Sequence, residues 1–234
     1  MNNTKITRQI KALIFDMDGL IFDSERIVKR SWDIAGEMLS LGPIGSNHIY
    51  NTLGFNVVRR EQYFKKVFGA DFPMEKFNQI TRKVFREIAD TEGVSIKPGV
   101  VALLKFAKEN NLRTAVATSS RREHSTKMLQ DAGIWPFFDG AVFGDMVTNA
   151  KPDPEIYVKA AKAILIPPAN CIALEDSPAG IQSSHAAGMY PIMVPDLVQP
   201  TEEIKKLYWK KSNTLDDVLT LLKHLDFSAS SSKI

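Results

Sequence analysis

The chain has 234 residues, of which 44% are hydrophobic and 24% charged, proportions that exclude a disordered, collagen-like or coiled-coil protein. Thirty lysines and arginines against 27 acidic residues leave a net charge of +3, too small an excess to indicate nucleic-acid binding. A single cysteine excludes an internal disulfide, and neither a signal peptide nor a membrane-spanning run is evident. We therefore expect a soluble cytoplasmic protein with no nucleic-acid or membrane partner.

Five short apolar runs, separated by amphipathic stretches, predict an α/β fold. Short runs without alternation are typical of strands buried on both faces, and the stretches between them provide the helical crossovers of a parallel sheet. The predicted strands cover residues 12–15, 114–117, 141–143, 171–174 and 191–194. Helices are predicted over residues 24–41, 121–132, 154–165 and 179–187.

The first two predicted strands are separated by about a hundred residues, much more than the 30 or so of an ordinary βαβ unit. Helical patterning recurs in this interval, over residues 27–41, 57–68 and 75–89. The sequence Lys97-Pro98-Gly99 then indicates the return to the sheet. The predicted organisation is a core of residues 1–25 and 97–227, a helical insert of residues 26–96, and a flexible tail of residues 228–234.

Two acids follow the first predicted strand directly, in the sequence Phe15-Asp16-Met17-Asp18-Gly19. Ligands of open α/β sheets bind beyond the carboxyl ends of the strands, where Asp16 and Asp18 are expected to lie. Acids that cap a helix or a turn are the alternative interpretation of this pair, because such residues are common after strands.

Three further polar segments also follow predicted strands. The first opens a helix with hydroxyl and N–H groups that can bind an anion, although ordinary helix capping explains it equally well. The second holds Lys151 between prolines, and its alternative is a surface lysine in a turn. The third is another acidic pair. The segments are Thr118-Ser119-Ser120, Asn149-Ala150-Lys151-Pro152-Asp153-Pro154 and Glu175-Asp176-Ser177.

The four acids at these strand ends are expected to converge on one edge of the sheet. Carboxylates that close cannot all stay ionised unless a cation separates them, and hard oxygen ligands suit Mg²⁺. A metal, a lysine and a helix N-terminus around a carboxylate form a pocket for a phosphoryl group. The four acids are Asp16, Asp18, Glu175 and Asp176.

These segments, taken in order, resemble the four motifs of the haloacid dehalogenase (HAD) superfamily, in its phosphatase and phosphomutase branch with a helical cap. The resemblance covers nearly the whole chain and is closest to pseudouridine-5′-phosphatases and sugar-phosphate phosphatases. It implies a Rossmann-like parallel sheet with strand order 3-2-1-4-5, and it makes the helical insert the cap. The motifs are Asp16-Met17-Asp18-Gly19, Thr118-Ser119, Lys151-Pro152-Asp153-Pro154 and Glu175-Asp176-Ser177-Pro178-Ala179-Gly180.

The resemblance also implies a role for each catalytic position. Asp16 is expected to attack phosphorus and form an aspartyl phosphate. Asp18 is expected to protonate the leaving alcohol and then to take a proton from water. Thr118 and the Ser119 amide are expected to hold phosphate oxygens, while Lys151 offsets the charge of the nucleophile and the phosphate.

A Mg²⁺ ion is the cofactor that the resemblance implies. Its ligands are expected to be the carboxylates of Asp16 and Asp176 and the backbone carbonyl of Asp18. Glu175 is expected to bind the ion directly or through water. The partner is then a small phosphorylated metabolite, such as a sugar phosphate or a nucleotide-like compound.

The second acid, Asp18, distinguishes between branches of the superfamily. Dehalogenases and phosphonate-cleaving members lack it, so its presence implies a phosphate ester with an alcohol leaving group. A phosphomutase of the β-phosphoglucomutase type is the alternative, although the histidine that such enzymes carry soon after the first motif is absent from Ser24-Glu25-Arg26-Ile27-Val28. A two-component receiver domain uses similar groups, but it is much shorter and has no place for the helical insert.

Charge along the chain gives two weaker expectations. The helical insert contains the whole excess of +3, which suits an anionic substrate or reflects scatter over helix surfaces. We expect Arg59 and Arg60 to lie on a solvated helix face, with binding of a second acidic group as the alternative. The basic and aromatic stretch of residues 205–211 predicts a solvated helix near the C-terminus.

Overall fold

The computed structural model describes residues 9–225 and residue 227, and a parallel sheet forms the centre of this part of the chain. The strands are β1 (Ala12–Phe15), β2 (Arg113–Ala117), β3 (Gly140–Val142), β4 (Cys171–Glu175), β5 (Tyr190–Met193) and β6 (Lys210–Lys211). Their order is β3-β2-β1-β4-β5-β6, which confirms the predicted order and adds a sixth strand beside β5. The predicted tail of residues 228–234 lies outside the described residues.

The sheet is buried on both faces, as its apolar strands predict. In β1, Leu13 and Phe15 pack on one face with the helices of residues 100–109, 122–131 and 215–223, whereas Ala12 and Ile14 pack on the other with the helix of residues 155–163. This division follows from the twofold alternation of side chains along a strand. The helices are α1 (Glu25–Met38), α2 (Ile44–His48), α3 (Val57–Phe68), α4 (Met74–Glu92), α5 (Val100–Glu109), α6 (Arg122–Asp131), α7 (Glu155–Ala163), α8 (Pro178–Ala186) and α9 (Leu215–Lys223).

Helices α1 to α4 occupy the long interval after β1 and bury a hydrophobic cluster of their own. Phe64 lies at its centre, with ring centroids 5.2 Å from Trp32, 5.2 Å from Phe72 and 5.4 Å from Phe77. Aromatic pairs at such separations stabilise a cluster beyond their simple burial. The helical insert therefore has a core that is separate from the two faces of the sheet.

The two connections between the helical insert and the sheet run side by side as an antiparallel pair. Phe22 and Ile96 form an isolated bridge. The Asp23 N–H donates to the Ser95 carbonyl at 3.0 Å, and the Lys97 N–H donates to the Ile21 carbonyl at 2.8 Å. Because the two connecting segments are adjacent, the helical insert is joined to the sheet through one pair of antiparallel segments.

The predicted helix over residues 205–211 is wrong. Ile204–Lys206 forms one 3₁₀ turn, and Lys210–Lys211 then pairs with β5. Trp209 is buried, and its N–H donates to the Pro191 carbonyl at 2.8 Å, so burying this large ring places the chain along the sheet edge. Within residues 9–225, no helix combines the length and apolar character that a membrane crossing requires.

Candidate active site

The strand register brings the predicted site segments to one edge of the sheet. Phe15 is paired with Val116 in β2 on one side and with Leu174 in β4 on the other. The next N–H, that of Asp16, donates to the Leu174 carbonyl at 3.0 Å. Asp16 therefore leaves β1 between the residues that follow β2 and those that end β4.

Lys151 is the buried cation of this site. Its Nζ donates to Asp16 Oδ1 at 2.5 Å, to Glu175 Oε1 at 2.6 Å and to the Ala117 carbonyl at 3.1 Å. The residue is 1% exposed, so the alternative of a surface lysine is wrong. Burial lowers the pKa of the ammonium, but the charges of Asp16 and Glu175 outweigh it and hold the pKa above its ordinary value.

Glu175 is fully enclosed, and both of its carboxylate oxygens accept hydrogen bonds. Oε1 accepts from Lys151 and from the Tyr157 hydroxyl, the latter at 2.6 Å. Oε2 accepts from the Ser177 N–H at 3.2 Å and from the Ser177 hydroxyl at 3.0 Å. A side chain at Gly180 would overlap with this carboxylate, which explains glycine at that position. Glu175 therefore orients Lys151, and both of its oxygens are engaged in hydrogen bonds within the protein.

Three carboxylates lie close enough to share a cation. Asp16, Glu175 and Asp176 are buried, and one oxygen from each lies within 4.8 Å of the others. Burial and the charges of Asp16 and Glu175 raise the pKa of Asp176 well above its ordinary value, and its carboxylate accepts no hydrogen bond from residues 9–225. Against one lysine, this set has an excess of negative charge on hard oxygen ligands. The residues present therefore fit a divalent cation such as Mg²⁺.

Gly19 explains how the first motif passes so near Asp176. Its φ is +81°, and a β-carbon at this position would overlap with the Asp176 carboxylate. Only glycine adopts this conformation readily and leaves the space open. The tight turn therefore brings Asp16 and Asp18 beside Asp176.

Several backbone N–H groups near Asp16 have no hydrogen-bond partner among the described residues. Within the described residues, the N–H groups of Met17, Asp18 and Ser119 have no acceptor. Thr118 Oγ1 accepts the Ser120 N–H at 3.0 Å and lies 3.4 Å from Asp18 Oδ2. N–H groups without a partner beside a carboxylate can bind the oxygens of an anionic ligand.

The helical insert covers this edge of the sheet and contacts it directly. The Ser119 hydroxyl donates to the Gly54 carbonyl at 3.0 Å, and Arg59 Nη1 donates to the Lys151 carbonyl at 2.5 Å. The Arg59 guanidinium also stacks on Phe55, at 3.9 Å from the ring centroid. The expectation of a solvated face for Arg59 is therefore wrong, because α3 turns this residue toward the site.

The expectation of a solvated helix face is also wrong for Arg60. Its Nε is buried without a hydrogen-bond partner among the described residues, and its guanidinium lies 5.4 Å from the centroid of the Trp32 ring. Burial lowers the pKa of Arg60, while the nearby carboxylates of Glu25 and Asp18 act in the opposite direction. Arg60 thus faces the acids of the site from the helical insert.

Glu25 and Tyr157 belong to the site, although the sequence did not identify them. Glu25 begins α1, and burial together with the charges of Asp18 and Asp16 raises its pKa to about 8. Tyr157 lies on α7, and its hydroxyl contacts Glu175. Glu25 was visible as an acid close to the first motif, whereas Tyr157 is an apolar-face residue of a helix and has no such signal.

Comparison with known proteins identifies the family. Residues 13–194 match the family model described as haloacid dehalogenase-like hydrolase. The chain belongs to this family, and it is a hydrolase. The resemblance stated from the four motifs is therefore confirmed.

Individual relatives agree with this assignment. The protein YhcW of Bacillus subtilis (strain 168) is 34% identical over 196 residues, which are 82% of this chain and 86% of YhcW. Hexitol phosphatase B of Escherichia coli (strain K12) is 32% identical over 194 residues, 80% of this chain and 85% of that protein. The crystal structure of CbbY from Rhodobacter sphaeroides in complex with phosphate has a TM-score of 0.75 and 25% identity, covering 89% of this chain and 96% of CbbY.

Proposed function

We propose that this chain is a magnesium-dependent phosphatase that hydrolyses the phosphate monoester of a small metabolite, a sugar phosphate or a nucleotide-like compound. One observation carries the proposal: Asp16 is hydrogen-bonded to the buried Lys151 and precedes Asp18 by two positions, beside N–H groups that have no partner among the described residues. The names of two similar proteins support it, since one is a hexitol phosphatase and the other was crystallised with phosphate.

The proposed first half-reaction uses Asp16 as the nucleophile. Lys151 holds its Oδ1, so the carboxylate presents its second oxygen to phosphorus. The bond from Asp16 to phosphorus forms as the bond to the leaving oxygen breaks. The electron pair of the broken bond stays on that oxygen, which takes a proton from Asp18.

The second half-reaction releases phosphate. Asp18, now a carboxylate, takes a proton from water as the water oxygen attacks phosphorus. The bond between phosphorus and Asp16 breaks, and its electron pair returns to the Asp16 carboxylate. Lys151 accompanies Asp16 through both steps, so this cation offsets the charge of the free nucleophile and of the acyl phosphate.

The proposed metal site uses the carboxylates of Asp16 and Asp176 and the backbone carbonyl of Asp18. When bound, Mg²⁺ supplies positive charge to the phosphoryl oxygens. Both oxygens of Glu175 already accept hydrogen bonds within the protein, so we assign this residue to the support of Lys151 and to any water-mediated contact with the ion.

The helical insert of residues 26–96 is proposed as the cap that selects the substrate, with the core in residues 1–25 and 97–227. Arg60 and Glu25 face the general acid Asp18, where the leaving group must lie. The Arg60 guanidinium, whose Nε has no hydrogen-bond partner among the described residues, and the nearby Glu25 carboxyl group suit a leaving group with several hydroxyls or with a second acidic group.

The test is phosphate release from a panel of esters in the presence of Mg²⁺. The panel contains hexitol phosphates, hexose 6-phosphates, nucleoside 5′-monophosphates and β-glucose 1-phosphate. We expect multiple turnovers on at least one hexitol or sugar phosphate, and Asp16→Asn is expected to reduce release to the background of a buffer blank. Isomerisation of β-glucose 1-phosphate without release would instead assign the phosphomutase alternative, and turnover by Asp16→Asn would overturn the nucleophile.

A further inference from the structure

We propose that Ser120 is a positioning residue that holds the Asp18 carboxyl group in the orientation for proton transfer to the leaving oxygen. This inference rests on the proposed phosphatase function. The Ser120 hydroxyl donates to Asp18 Oδ2 at 2.6 Å, and the Ser24 hydroxyl donates to Oδ1 at 2.8 Å. Thr118 Oγ1 is a distant second partner of Oδ2, at 3.4 Å.

Ser120 is itself held in place by the backbone around it. Its N–H donates to Thr118 Oγ1 at 3.0 Å, and its carbonyl accepts the Gly144 N–H at 2.8 Å. A side chain at Gly144 would overlap with the Ser119 carbonyl, so the loop after β3 packs directly against this turn. With this backbone fixed, only χ1 and the rotation of the O–H bond remain free, so little conformational entropy is lost when the Ser120 hydroxyl binds Asp18.

The chemistry of these partners distinguishes Asp18 from the other acids. Asp16 and Glu175 are held by the Lys151 ammonium, which can only donate hydrogen bonds and so favours carboxylates. The side-chain partners of Asp18 within residues 9–225 are hydroxyls, which can donate or accept. A group that gives up a proton in one half-reaction and takes one in the next needs partners that suit both of its forms.

Loss of Ser120 is expected to slow one step of the first half-reaction in particular, the proton transfer from Asp18 to the leaving oxygen. In the first half-reaction, the O–H bond of the Asp18 carboxyl breaks as an O–H bond to the leaving oxygen forms. With its 2.6 Å partner removed, the carboxyl group can rotate away from that oxygen. Small misplacements of a catalytic group reduce rates by up to about 100-fold. Esters whose leaving group needs no proton are expected to escape this loss.

The experiment compares two classes of substrate in the full-length protein with Mg²⁺. The first is the alkyl phosphate that the wild type hydrolyses best, and the second is p-nitrophenyl phosphate, whose leaving group departs as a stable anion. We expect Ser120→Ala to reduce kcat/KM for the alkyl ester by about 10- to 100-fold and kcat/KM for the aryl ester by less than about threefold. This ratio is compared because kcat/KM covers only the steps up to cleavage of the ester bond, whereas kcat also includes the second half-reaction, in which Asp18 acts as a base for both esters.

Two further variants complete the test. Ser125→Ala removes from α6 a buried hydroxyl that has no hydrogen-bond partner in the described part of the chain, and it is expected to behave as the wild type on both esters. In an Asp18→Asn background, Ser120→Ala is expected to cause less than about a twofold further loss, since the two residues act as one unit.

Equal losses of kcat/KM on both esters, no loss on either, or an additive loss in the Asp18→Asn background would overturn the role of Ser120. A wild type that hydrolyses neither ester would instead overturn the proposed phosphatase function, and with it this inference.

Discussion

Replacing Lys151 with methionine tests whether the buried ammonium stabilises the charged carboxylates of Asp16 and Glu175 at the edge of the sheet. The substitution keeps most of the side-chain volume and removes the charge. Nζ lies 2.5 Å from Asp16 Oδ1 and 2.6 Å from Glu175 Oε1, and the lysine side chain has no exposed surface. Removing one partner of a buried ion pair costs about 3–5 kcal/mol, because the remaining charge is uncompensated.

The variant can limit this cost by binding a proton. A free glutamate side chain has a pKa near 4.3, so keeping one such group protonated at pH 7 costs about 3.7 kcal/mol. This cost falls by about 1.4 kcal/mol for each unit by which the pH is lowered. The folded variant then binds more protons than its unfolded chain, so its stability falls as pH rises. We expect a deficit in the free energy of unfolding of about 3–4 kcal/mol at neutral pH and about 1 kcal/mol near pH 5.

Urea unfolding followed by tryptophan fluorescence measures this deficit, with EDTA present so that no divalent cation replaces the lysine charge. Lys127→Met is the matched control. It breaks an ion pair of 2.7 Å with Asp131, but the two side chains are 75% and 62% exposed, so we expect no measurable change. A deficit for Lys151→Met that is below about 1 kcal/mol at neutral pH, or that does not vary with pH, would refute the reasoning.

Two further predictions concern the metal and the substrate. Mg²⁺ at about 100 times its Kd should stabilise the EDTA-treated protein by about 2.7 kcal/mol and raise its Tm, and this rise should disappear in Asp176→Asn. A wild-type Tm that does not change on addition of Mg²⁺ would contradict the metal site. Arg60→Met should raise KM for the best substrate about tenfold with kcat nearly unchanged, whereas Lys66→Met, on the exposed face of α3, should change neither value. Equal KM values for Arg60→Met and the wild type would show that Arg60 does not bind the substrate.

Much of the fold could be predicted because its strongest signals are local. Four of the five apolar runs form strands that are buried on both faces, and the third forms the partly buried edge strand β3. The long helical stretch before residue 97 forms α1 to α4. Strand β6 was missed because two lysines carry no strand signal. Its pairing with β5 depends on the burial of Trp209, a contact with Tyr190 and Pro191 that no local pattern contains.

The site could be predicted in part for a related reason. Parallel strands end at the same edge of a sheet, so acids placed after β1 and β4 meet there whatever the details of packing. The orientation of α3 is different, because it depends on how the helical insert packs over the sheet. The prediction of a solvated face for Arg60 was therefore wrong, and no sequence pattern singled out Tyr157 on α7.

By itself, the sequence determined which polar residues follow each strand, and hence which groups could assemble the chemistry, because hydropathy and chain order are properties of neighbouring residues. Only the tertiary structure decided the environment of each group. Glu175 is enclosed by Lys151 and Tyr157, whereas Asp18 has hydroxyl partners from Ser24 and Ser120. Such differences arise where distant segments pack against one another, and there burial and contact assign different chemistry to identical carboxyl groups.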